Sequence, residues 1–286
     1  MDKAQGNTQT DMNAEKLEQY FLEITEKDIC LAFFGGVDSS LLLKAAVDAA
    51  TQNGSQVYAV TFDSRLHPSC DLKIAREVAG ELGGIHQVIQ IDELEQDEIR
   101  SNPVNRCYLC KRHLFKSLKL FAESKGVDTV LDGTNEDDMH VYRPGILALR
   151  ELGIKSPLAE LHITKAQVKA LAAFYGISVA SRPSTPCMAT RIPYGQTIDY
   201  KVLEQMAKGE EYLRQRIPGN IRLRLHGNVV RLEVDAVRLF QVIEDREELV
   251  KYIKNLGFDY VTLDLEGFRS GSMDIHVAAC RKSEKA

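Results

Sequence analysis

The feature that most constrains this chain is an apolar run that ends in two glycines. Residues 29–34 are apolar throughout, which is typical of a strand buried on both faces of a parallel sheet. Gly35 and Gly36 follow, and residues 40–50 predict a helix. Adjacent glycines permit a sharp backbone turn, and a helix N-terminus attracts anions. The segment predicts a phosphate-binding loop; on the glycines alone, a plain strand–helix turn remains the alternative.

Three side chains after the glycines suit the same chemistry. The hydroxyls of Ser39 and Ser40 are hydrogen-bond donors, and the carboxylate of Asp38 suits a phosphate-bound Mg²⁺. The loop differs from the Walker A motif because no Gly-Lys-Ser/Thr follows it. We therefore expect a phosphate-binding loop that differs from that of the P-loop enzymes.

Strands and helices alternate beyond this loop. Strands are predicted at residues 56–62, 85–91 and 129–131, and helices at residues 11–26, 69–82, 107–125 and 164–176. This alternation predicts an α/β fold with a doubly wound parallel sheet. Gly133, Thr134 and Asn135 follow the fourth strand, and so they should lie at the edge of the sheet where such folds bind ligands.

The organisation of the chain changes after residue 185. Residues 186–195 carry two prolines and a glycine and predict a linker. Beyond them, a helix precedes two alternating strands that are separated by a hairpin signal at residues 226–228. We therefore predict one domain at residues 1–185 that carries the phosphate-binding loop, and a smaller α+β domain at residues 196–286.

Composition excludes several classes of protein. The chain has 36 basic and 41 acidic residues, and the net charge of −5 argues against broad nucleic-acid binding. No segment approaches the roughly 18 apolar residues of a membrane helix, and the N-terminal residues do not resemble a secretory signal. Six cysteines are too few for a disulfide scaffold. We therefore expect a cytoplasmic protein with reduced cysteines.

Two of the cysteines form a C-x2-C pair, Cys107 and Cys110, and Cys187 lies in the predicted linker. From the residues alone the pair is incidental, a redox pair, part of a zinc site completed by Cys187 and His113, or part of a [4Fe–4S] site. Three thiolates without a fourth suit a cluster that leaves one iron open. The remaining cysteines are interpreted as ordinary small side chains: Cys30, Cys70 and Cys280.

Several segments together resemble one enzyme family. They are FGGVDSS (34–40), LDGTNEDD (131–138), YRPG (142–145), PCMATRIPYG (186–195), IRLRLH (221–226) and TLDLEGFRSG (262–271). The first is similar to the pyrophosphate loop, SGGxDS, of the adenine-nucleotide α-hydrolase superfamily. The full set resembles the LarE sulfurtransferases, and the resemblance extends over nearly the whole chain after residue 14.

The resemblance implies a specific reaction. LarE enzymes use ATP to activate a carboxylate of pyridinium-3,5-biscarboxylic acid mononucleotide as an acyl-adenylate, and sulfur then displaces AMP. The product contributes to the nickel-pincer nucleotide cofactor of lactate racemase. One branch of the family sacrifices a cysteine, which becomes dehydroalanine. The other uses three cysteines and a [4Fe–4S] cluster, and the three cysteines of this chain favour that branch. The resemblance also implies that residues 1–185 form the ATP-binding domain, and that residues 196–286 bind the substrate and form a homo-oligomer.

The resemblance also assigns roles to individual residues. Catalytic roles fall to Cys187, Lys111 and Asp38. The nucleotide and its Mg²⁺ are assigned to Gly35, Gly36, Asp38, Ser39, Ser40, Gly133, Thr134 and Asn135. The small nucleotide substrate is assigned to Thr190, Arg191, Glu210, Arg222, Arg224, Glu233, Arg269 and Ser270. The cluster ligands are Cys107, Cys110 and Cys187.

One departure from the family leaves alternatives open. Phe34 occupies the first position of the loop, where the family has a serine whose hydroxyl can reach the pyrophosphate. Another ATP pyrophosphatase, such as a tRNA thiolase or an amide-forming synthetase, is the nearest alternative. A non-catalytic protein that senses a nucleotide or a cluster is the alternative from a different functional class.

Overall fold

The computed structural model describes residues 2–183, 185–269 and 271–273. Its strands are β1 (Ile29–Ala32), β2 (Val57–Asp63), β3 (Ile85–Gln90), β4 (Thr129–Leu131), β5 (Ile221–His226), β6 (Val229–Val234) and β7 (Tyr260–Leu263). Its α-helices are α1 (Asp2–Ile24), α2 (Val37–Asn53), α3 (Ser69–Leu82), α4 (Asp97–Arg100), α5 (Arg106–Ser124), α6 (Glu136–Met139), α7 (Gly145–Glu151), α8 (Pro157–Glu160), α9 (Lys165–Phe174), α10 (Tyr200–Arg214), α11 (Leu239–Glu244) and α12 (Arg246–Asn255). Short 3-10 turns lie at Glu93–Glu95, Met188–Arg191 and Ala236–Arg238.

The predicted parallel sheet is confirmed. Within the described chain, four strands pair in the order β3-β2-β1-β4, and each pairing is parallel. Ile29 at the start of β1 lies beside Val57 of β2 on one side and Thr129 of β4 on the other. The connections reverse direction between β1 and β4, and this is the position where open α/β sheets bind their ligands.

Helices cover both faces of the sheet, as a doubly wound fold requires. Ile29 and Leu31 of β1 pack into a cluster with residues of α1, α2, α3 and α9. Cys30 and Ala32 point to the opposite face and pack with residues of α5. Because alternate side chains of a strand point to opposite faces, this strand is apolar throughout and its side chains are divided between two cores.

A second, smaller sheet forms the C-terminal α+β part of the described chain. β5 and β6 are antiparallel, and His226 pairs with Val229 at the hairpin. Gly227 has a φ of +63° there, a conformation that suits glycine in tight hairpin turns. β7 then pairs with β6 in parallel. The predicted hairpin and the strand at residues 260–263 are confirmed.

The chain divides into two compact units. The first contains residues 1–93 and 107–185, and the second contains residues 94–106 and 186–286. The sequence analysis placed residues 94–106 in the first domain and set residues 186–195 apart as a linker. In the structure both segments belong to the second unit. Asn102 connects the two segments. Its side-chain amide donates to the carbonyl of Pro193 at 2.7 Å, and its backbone carbonyl accepts from Gly195 N–H at 2.8 Å.

Two helix starts differ from the sequence prediction. α1 begins at Asp2 rather than near Asp11, because its polar first residues contain no proline to exclude a helix. α2 begins at Val37 rather than at Ser40, with Gly36 at its N-cap. Asp38 therefore lies in the first helical turn, where a negative charge is favourable.

In the described residues, no helix is both long and apolar enough to cross a membrane.

Two glycines of this region allow a matched test of the loop. Gly35 and Gly54 both have positive φ values, +65° and +75°. A Cβ at Gly35 would lie 2.9 Å from backbone atoms of Ala75, whereas a Cβ at Gly54 would meet nothing within 4 Å. We expect Gly54→Ala to lower the free energy of unfolding by about 1 kcal/mol. Gly35→Ala should lower it by about 3 kcal/mol, because the clash with α3 adds to the backbone strain. Urea unfolding checks both values, and equal losses would contradict the close approach.

Candidate active site

The loop between β1 and α2 is built to leave room for a ligand. Gly36 has ordinary backbone angles, φ −86° and ψ 162°, and no side chain caps this helix start in the described residues. A Cβ at Gly36 would meet nothing within 4 Å. Neither backbone conformation nor packing therefore explains this glycine. An anion that approaches the uncapped N–H groups of α2 does explain it.

The side chains of Ser39 and Arg182 hold the loop in shape. The Phe34 N–H donates to Ser39 Oγ at 3.5 Å, and that hydroxyl donates to the Gly36 carbonyl at 3.2 Å. Ser40 Oγ is buried with no hydrogen-bond partner among the described residues. Arg182 donates to the Gly35 carbonyl at 3.2 Å and to Asp71 at 2.5 Å. The loop is thus fixed before any ligand binds.

Asp38 is held from two directions. The amide of Asn135 donates to Asp38 Oδ1 at 3.1 Å, and the ammonium of Lys165 forms an ion pair with Asp38 Oδ2. Gly133 brings β4 close to this turn, because a Cβ there would lie 3.3 Å from the Ser39 nitrogen. The predicted nucleotide-binding residues of the two loops therefore meet at the first turn of α2.

Asp132 is the hub of an adjacent network at the end of β4. Its carboxylate accepts from the hydroxyls of Thr134 at 2.6 Å and Ser156 at 2.5 Å. The ammonium of Lys111 lies 3.2 Å from it. A Cβ at Gly145 would lie 2.9 Å from the Lys111 side chain, so this glycine leaves space for the lysine. The predicted catalytic Lys111 is thereby fixed at the edge of the sheet.

A pocket of about 140 Å³ lies at the carboxyl ends of β1 and β2. Phe34 lines it, and its ring centroid is 5.9 Å from that of Phe62 and 5.4 Å from that of His67. Burial lowers the pKa of His67, with the charge of Asp71 acting in the opposite direction. Phe34 therefore contributes an apolar wall to this pocket, where a serine would offer a hydroxyl.

The predicted cluster ligands lie on two elements. Cys107 is exposed and Cys110 is half-buried, three residues apart at the start of α5. Cys187 is half-buried and precedes the 3-10 turn Met188–Arg191 in the second unit. Within the described chain, no three His, Cys, Asp or Glu side chains form a group ready to hold a metal ion. The assignment of these three thiols to a cluster stays a prediction.

A buried ion pair orders the second unit. Arg191 is 1% exposed and binds Glu210 through two hydrogen bonds of 2.9 Å. Its remaining nitrogen donates to the carbonyls of Pro186 and Cys187 at 3.1 and 3.2 Å. Burial alone would raise the pKa of Glu210, but Arg191, the Leu223 N–H and Arg214 together hold it below its ordinary value. Arg191 thus fixes the backbone that carries Cys187.

A second buried carboxylate continues this network. Glu233 is fully buried and lies 3.2 Å from Arg224 and 3.0 Å from Arg231. Arg224 also donates to the Thr190 carbonyl at 2.8 Å. Arg269 forms ion pairs with Asp264 and Glu266 instead. Ser270 and Cys280 lie outside the described residues.

Arg222 differs from its neighbours because no carboxylate of the described chain pairs with it. It is 9% exposed, its Nε has no hydrogen-bond partner, and Nη1 donates to the carbonyl of Ile221. Burial and the positive charge of Arg191 lower the pKa of Arg222 to about 10. Its guanidinium lies 5.3 Å from the centroid of the Phe268 ring, and the nearby charge of Glu210 only partly compensates it. A buried cation without an ion-pair partner is unfavourable, so this position suits an anionic ligand.

Comparison with known proteins places this geometry in a family. Residues 9–144 match the PP-loop domain model. The chain is 34% identical over 246 residues to pyridinium-3,5-bisthiocarboxylic acid mononucleotide synthase of Lactiplantibacillus plantarum, covering 86% of this chain and 88% of that protein. The chain belongs to the LarE family. An uncharacterized protein of Synechocystis is 38% identical over 91% of this chain and 96% of its own length. An uncharacterized protein of Methanocaldococcus jannaschii is 32% identical over 85% of this chain and 92% of its own length.

Some residues around this LarE-family site escaped the sequence analysis. Asp132 could have been found, because it directly follows a buried strand at the edge where such sheets bind ligands. Lys165 and Arg182 contact the phosphate loop from positions 127 and 147 residues away. No local pattern marks either residue, and only the packing of the chain brings them to the loop.

The ion pair of Glu210 provides a matched test in this unit. Arg191 and Arg214 both bind Glu210, but the Arg191 side chain is 2% exposed and that of Arg214 is 43% exposed. We expect Arg191→Met to lower the free energy of unfolding by about 3 kcal/mol, because it removes the buried partner of a buried charge. Arg214→Met should cost about 1 kcal/mol or less. Chemical denaturation at neutral pH compares the variants, and equal losses would contradict the role given to burial.

Proposed function

We propose that this protein is an ATP-dependent sulfurtransferase that acts on a carboxylate of pyridinium-3,5-biscarboxylic acid mononucleotide. The observation that carries the proposal is the uncapped helix start at Gly36, with open space where a Cβ would lie. The name of the Lactiplantibacillus relative supports the substrate. The product would enter synthesis of the nickel-pincer nucleotide of lactate racemase, as the family resemblance implies.

The first step of the proposed reaction is adenylation. A carboxylate oxygen of the substrate attacks the α-phosphorus of ATP, and the bond to the bridging oxygen of pyrophosphate breaks with its electron pair on the pyrophosphate. The N–H groups at the start of α2 bind the phosphates. The pocket beside Phe34 receives the nucleoside. Asp38 is the carboxylate that would hold Mg²⁺, whose charge stabilises the departing oxygens.

The second unit supplies the charges for an anionic substrate. Arg222 has no carboxylate partner in the described chain, and a guanidinium suits phosphate or carboxylate. Arg191, Arg224, Glu210 and Glu233 neutralise one another and hold the surrounding backbone. We therefore assign the substrate anion to Arg222 and a positioning role to the paired residues.

The second proposed step is sulfur transfer. A sulfur nucleophile attacks the acyl carbon, and the bond from that carbon to the AMP oxygen breaks with its electron pair on AMP. We propose Cys107, Cys110 and Cys187 as the sulfur-handling residues. Cysteine thiolates are the donors that iron–sulfur clusters use, and two of these residues lie three positions apart on one helix. A [4Fe–4S] cluster supplies, when bound to three cysteines, an open iron for an added sulfide. We further propose that the protein acts in the reducing environment of the cytoplasm and that it forms a homo-oligomer.

The adenylation proposal has a direct test. Purified protein with Mg²⁺ and ATP should form AMP and pyrophosphate only when the pyridinium substrate is added, as followed by chromatography and mass spectrometry. Arg222→Met should raise the KM for the pyridinium substrate about ten- to hundredfold, because a charged hydrogen bond is lost. Arg246→Met is the control, since this arginine is 63% exposed. AMP formation without the substrate, or an unchanged KM in Arg222→Met, would contradict the assignment.

The cysteine proposal has a separate test. Anaerobically purified protein should contain about four iron atoms per chain and show a broad visible absorbance. Replacing Cys107, Cys110 or Cys187 by alanine should remove both signals. Cys30→Ala should keep them, because burial in β1 raises the pKa of Cys30 to about 12 and keeps it a thiol. Protein without iron whose Cys187 becomes dehydroalanine after turnover would show sacrificial chemistry instead.

A further inference from the structure

The chain just before the C-x2-C pair contains a buried residue in an unusual backbone conformation. Asn102 is 0% exposed and has a φ of +54°, which lies in the left-handed region that favours glycine. Asparagine is one of the few other residues that adopt this region, because its short polar side chain can form local hydrogen bonds. Backbone strain of this kind tends to be kept at functional sites, so the side chain of Asn102 deserves a functional explanation.

The amide of Asn102 binds the loop that carries Cys187. Its nitrogen donates to the carbonyl of Pro193 at 2.7 Å and to that of Ile192 at 3.3 Å. An amide nitrogen has two hydrogen atoms to donate, and this loop accepts both bonds. A glycine at this position would fit the backbone, but it would release these two contacts to the loop.

Arg106 adds a second contact to the same loop. It is 3% exposed. Its Nη1 donates to Asn102 Oδ1 and, at 3.3 Å, to the carbonyl of Ala189. Its guanidinium carbon lies 5.3 Å from the centroid of the Tyr194 ring, a distance suited to a cation–π contact. Asn102 and Arg106 therefore bind each other and bind the loop together.

Both ends of this network lie next to cysteines in the sequence. Ala189 is two residues after Cys187, and Arg106 directly precedes Cys107. The two segments that the network joins belong to the second unit. Burying a guanidinium removes its hydration, so such contacts add little net stability but require a defined geometry. The network is therefore suited to fixing the position of the loop.

We propose that Asn102 and Arg106 are positioning residues for sulfur transfer, which hold the loop so that Cys187 presents sulfur to the acyl-adenylate. The inference rests on the proposed function and adds two residues that act in only one of its steps. When the loop is displaced, water attacks the acyl carbon in place of sulfur. The bond from that carbon to the AMP oxygen breaks with its electron pair on AMP, and the carboxylate forms again.

The competing explanation is a network that only stabilises the second unit. The two explanations differ in which step they affect. The second unit also carries Arg222, which is assigned to the substrate anion, so a general loss of its structure would lower adenylation, sulfur transfer and the unfolding midpoint together. A loss of positioning lowers sulfur transfer and leaves adenylation intact.

Single-turnover reactions of the full-length protein separate these explanations. The protein reacts anaerobically with ATP, Mg²⁺, the pyridinium substrate and sodium sulfide, and mass spectrometry gives the thiolated product formed per pyrophosphate. Arg106→Met should lower this ratio about ten- to hundredfold, because a small misplacement of a reacting group has effects of this size, while pyrophosphate forms at the parent rate. Asn102→Gly should do the same, because glycine keeps the backbone conformation and removes the amide.

Two further variants test whether the effect belongs to these contacts. Arg106→Lys should retain most of the thiolated product, because Nη1 alone makes both hydrogen bonds and an ammonium also has more than one donor. Arg100→Met is the matched control from the same segment. Arg100 donates to the carbonyl of Leu94 at 2.9 Å and its side chain is 50% exposed, so this variant should keep the parent ratio.

Alkylation of Cys187 gives a readout that does not depend on the reaction. Cys187 is half-buried. In metal-free protein without substrates, iodoacetamide should modify Cys187 several-fold faster in Arg106→Met and Asn102→Gly than in the parent, because the loop is released. Peptide mass spectrometry measures the rates. Cys30 is buried in β1 and should react equally slowly in all of these proteins.

Two results would overturn the inference. One is a parallel loss of pyrophosphate and thiolated product in Arg106→Met and Asn102→Gly. The other is an unchanged ratio in both variants, which would leave the proposed function in place. If Arg106→Met does not fold, Asn102→Gly decides. A parent protein that forms no pyrophosphate or no thiolated product would contradict the proposed function, and equal alkylation rates of Cys187 would then also contradict the hold on the loop.

Discussion

The close approach of α2 to its neighbours is the constraint on which the rest of the first unit depends. Gly35 turns so tightly that a side chain there would overlap the backbone of α3. Gly133 lets the end of β4 approach the first turn of α2. Because both contacts involve backbone, the loop cannot relax by rotating a side chain. Packing of the backbone therefore fixes the position of Asp38 relative to its partners Asn135 and Lys165.

Buried guanidinium–carboxylate pairs have the corresponding role in the second unit. Glu210 and Glu233 each bind two arginines, and neither carboxylate reaches solvent. Such pairs add little net stability, because desolvation opposes the attraction between the charges. They do require a defined geometry, since a misplaced partner leaves a buried charge uncompensated. This network holds the backbone beside Cys187 and leaves Arg222 without a carboxylate partner among the described residues.

The sequence predicted much of this fold because its signals are local. The apolar run of β1, the glycines after it and the hairpin at Gly227 each act over a few residues. The starts of α1 and α2 were predicted too late, since a polar first turn shows no apolar periodicity. Lys165, Arg182 and the grouping of residues 94–106 with the second unit depend on contacts between distant segments. A single sequence does not record such contacts.

The candidate site shows the same division. The two loops at the sheet edge, and the arginines of β5, were recognisable from motifs and from strand periodicity. The sequence did not indicate that, of the two arginines of β5, Arg224 pairs with a carboxylate of the described chain and Arg222 does not, because that property belongs to the packed network. The chemistry of the cysteines depends on whether three thiols share one centre, and local spacing reveals only the pair on α5.

The uncapped start of α2 also links the fold to its surroundings. When no side chain caps the start of a helix, its first N–H groups lack acceptors until another group accepts their hydrogen bonds. An anion bound at Gly36 completes that helix, and α2 contributes ten buried residues to the first unit. A ligand that binds only the folded state stabilises it in proportion to the logarithm of ligand concentration. The resistance of this protein to unfolding is therefore coupled to the level of its nucleotide.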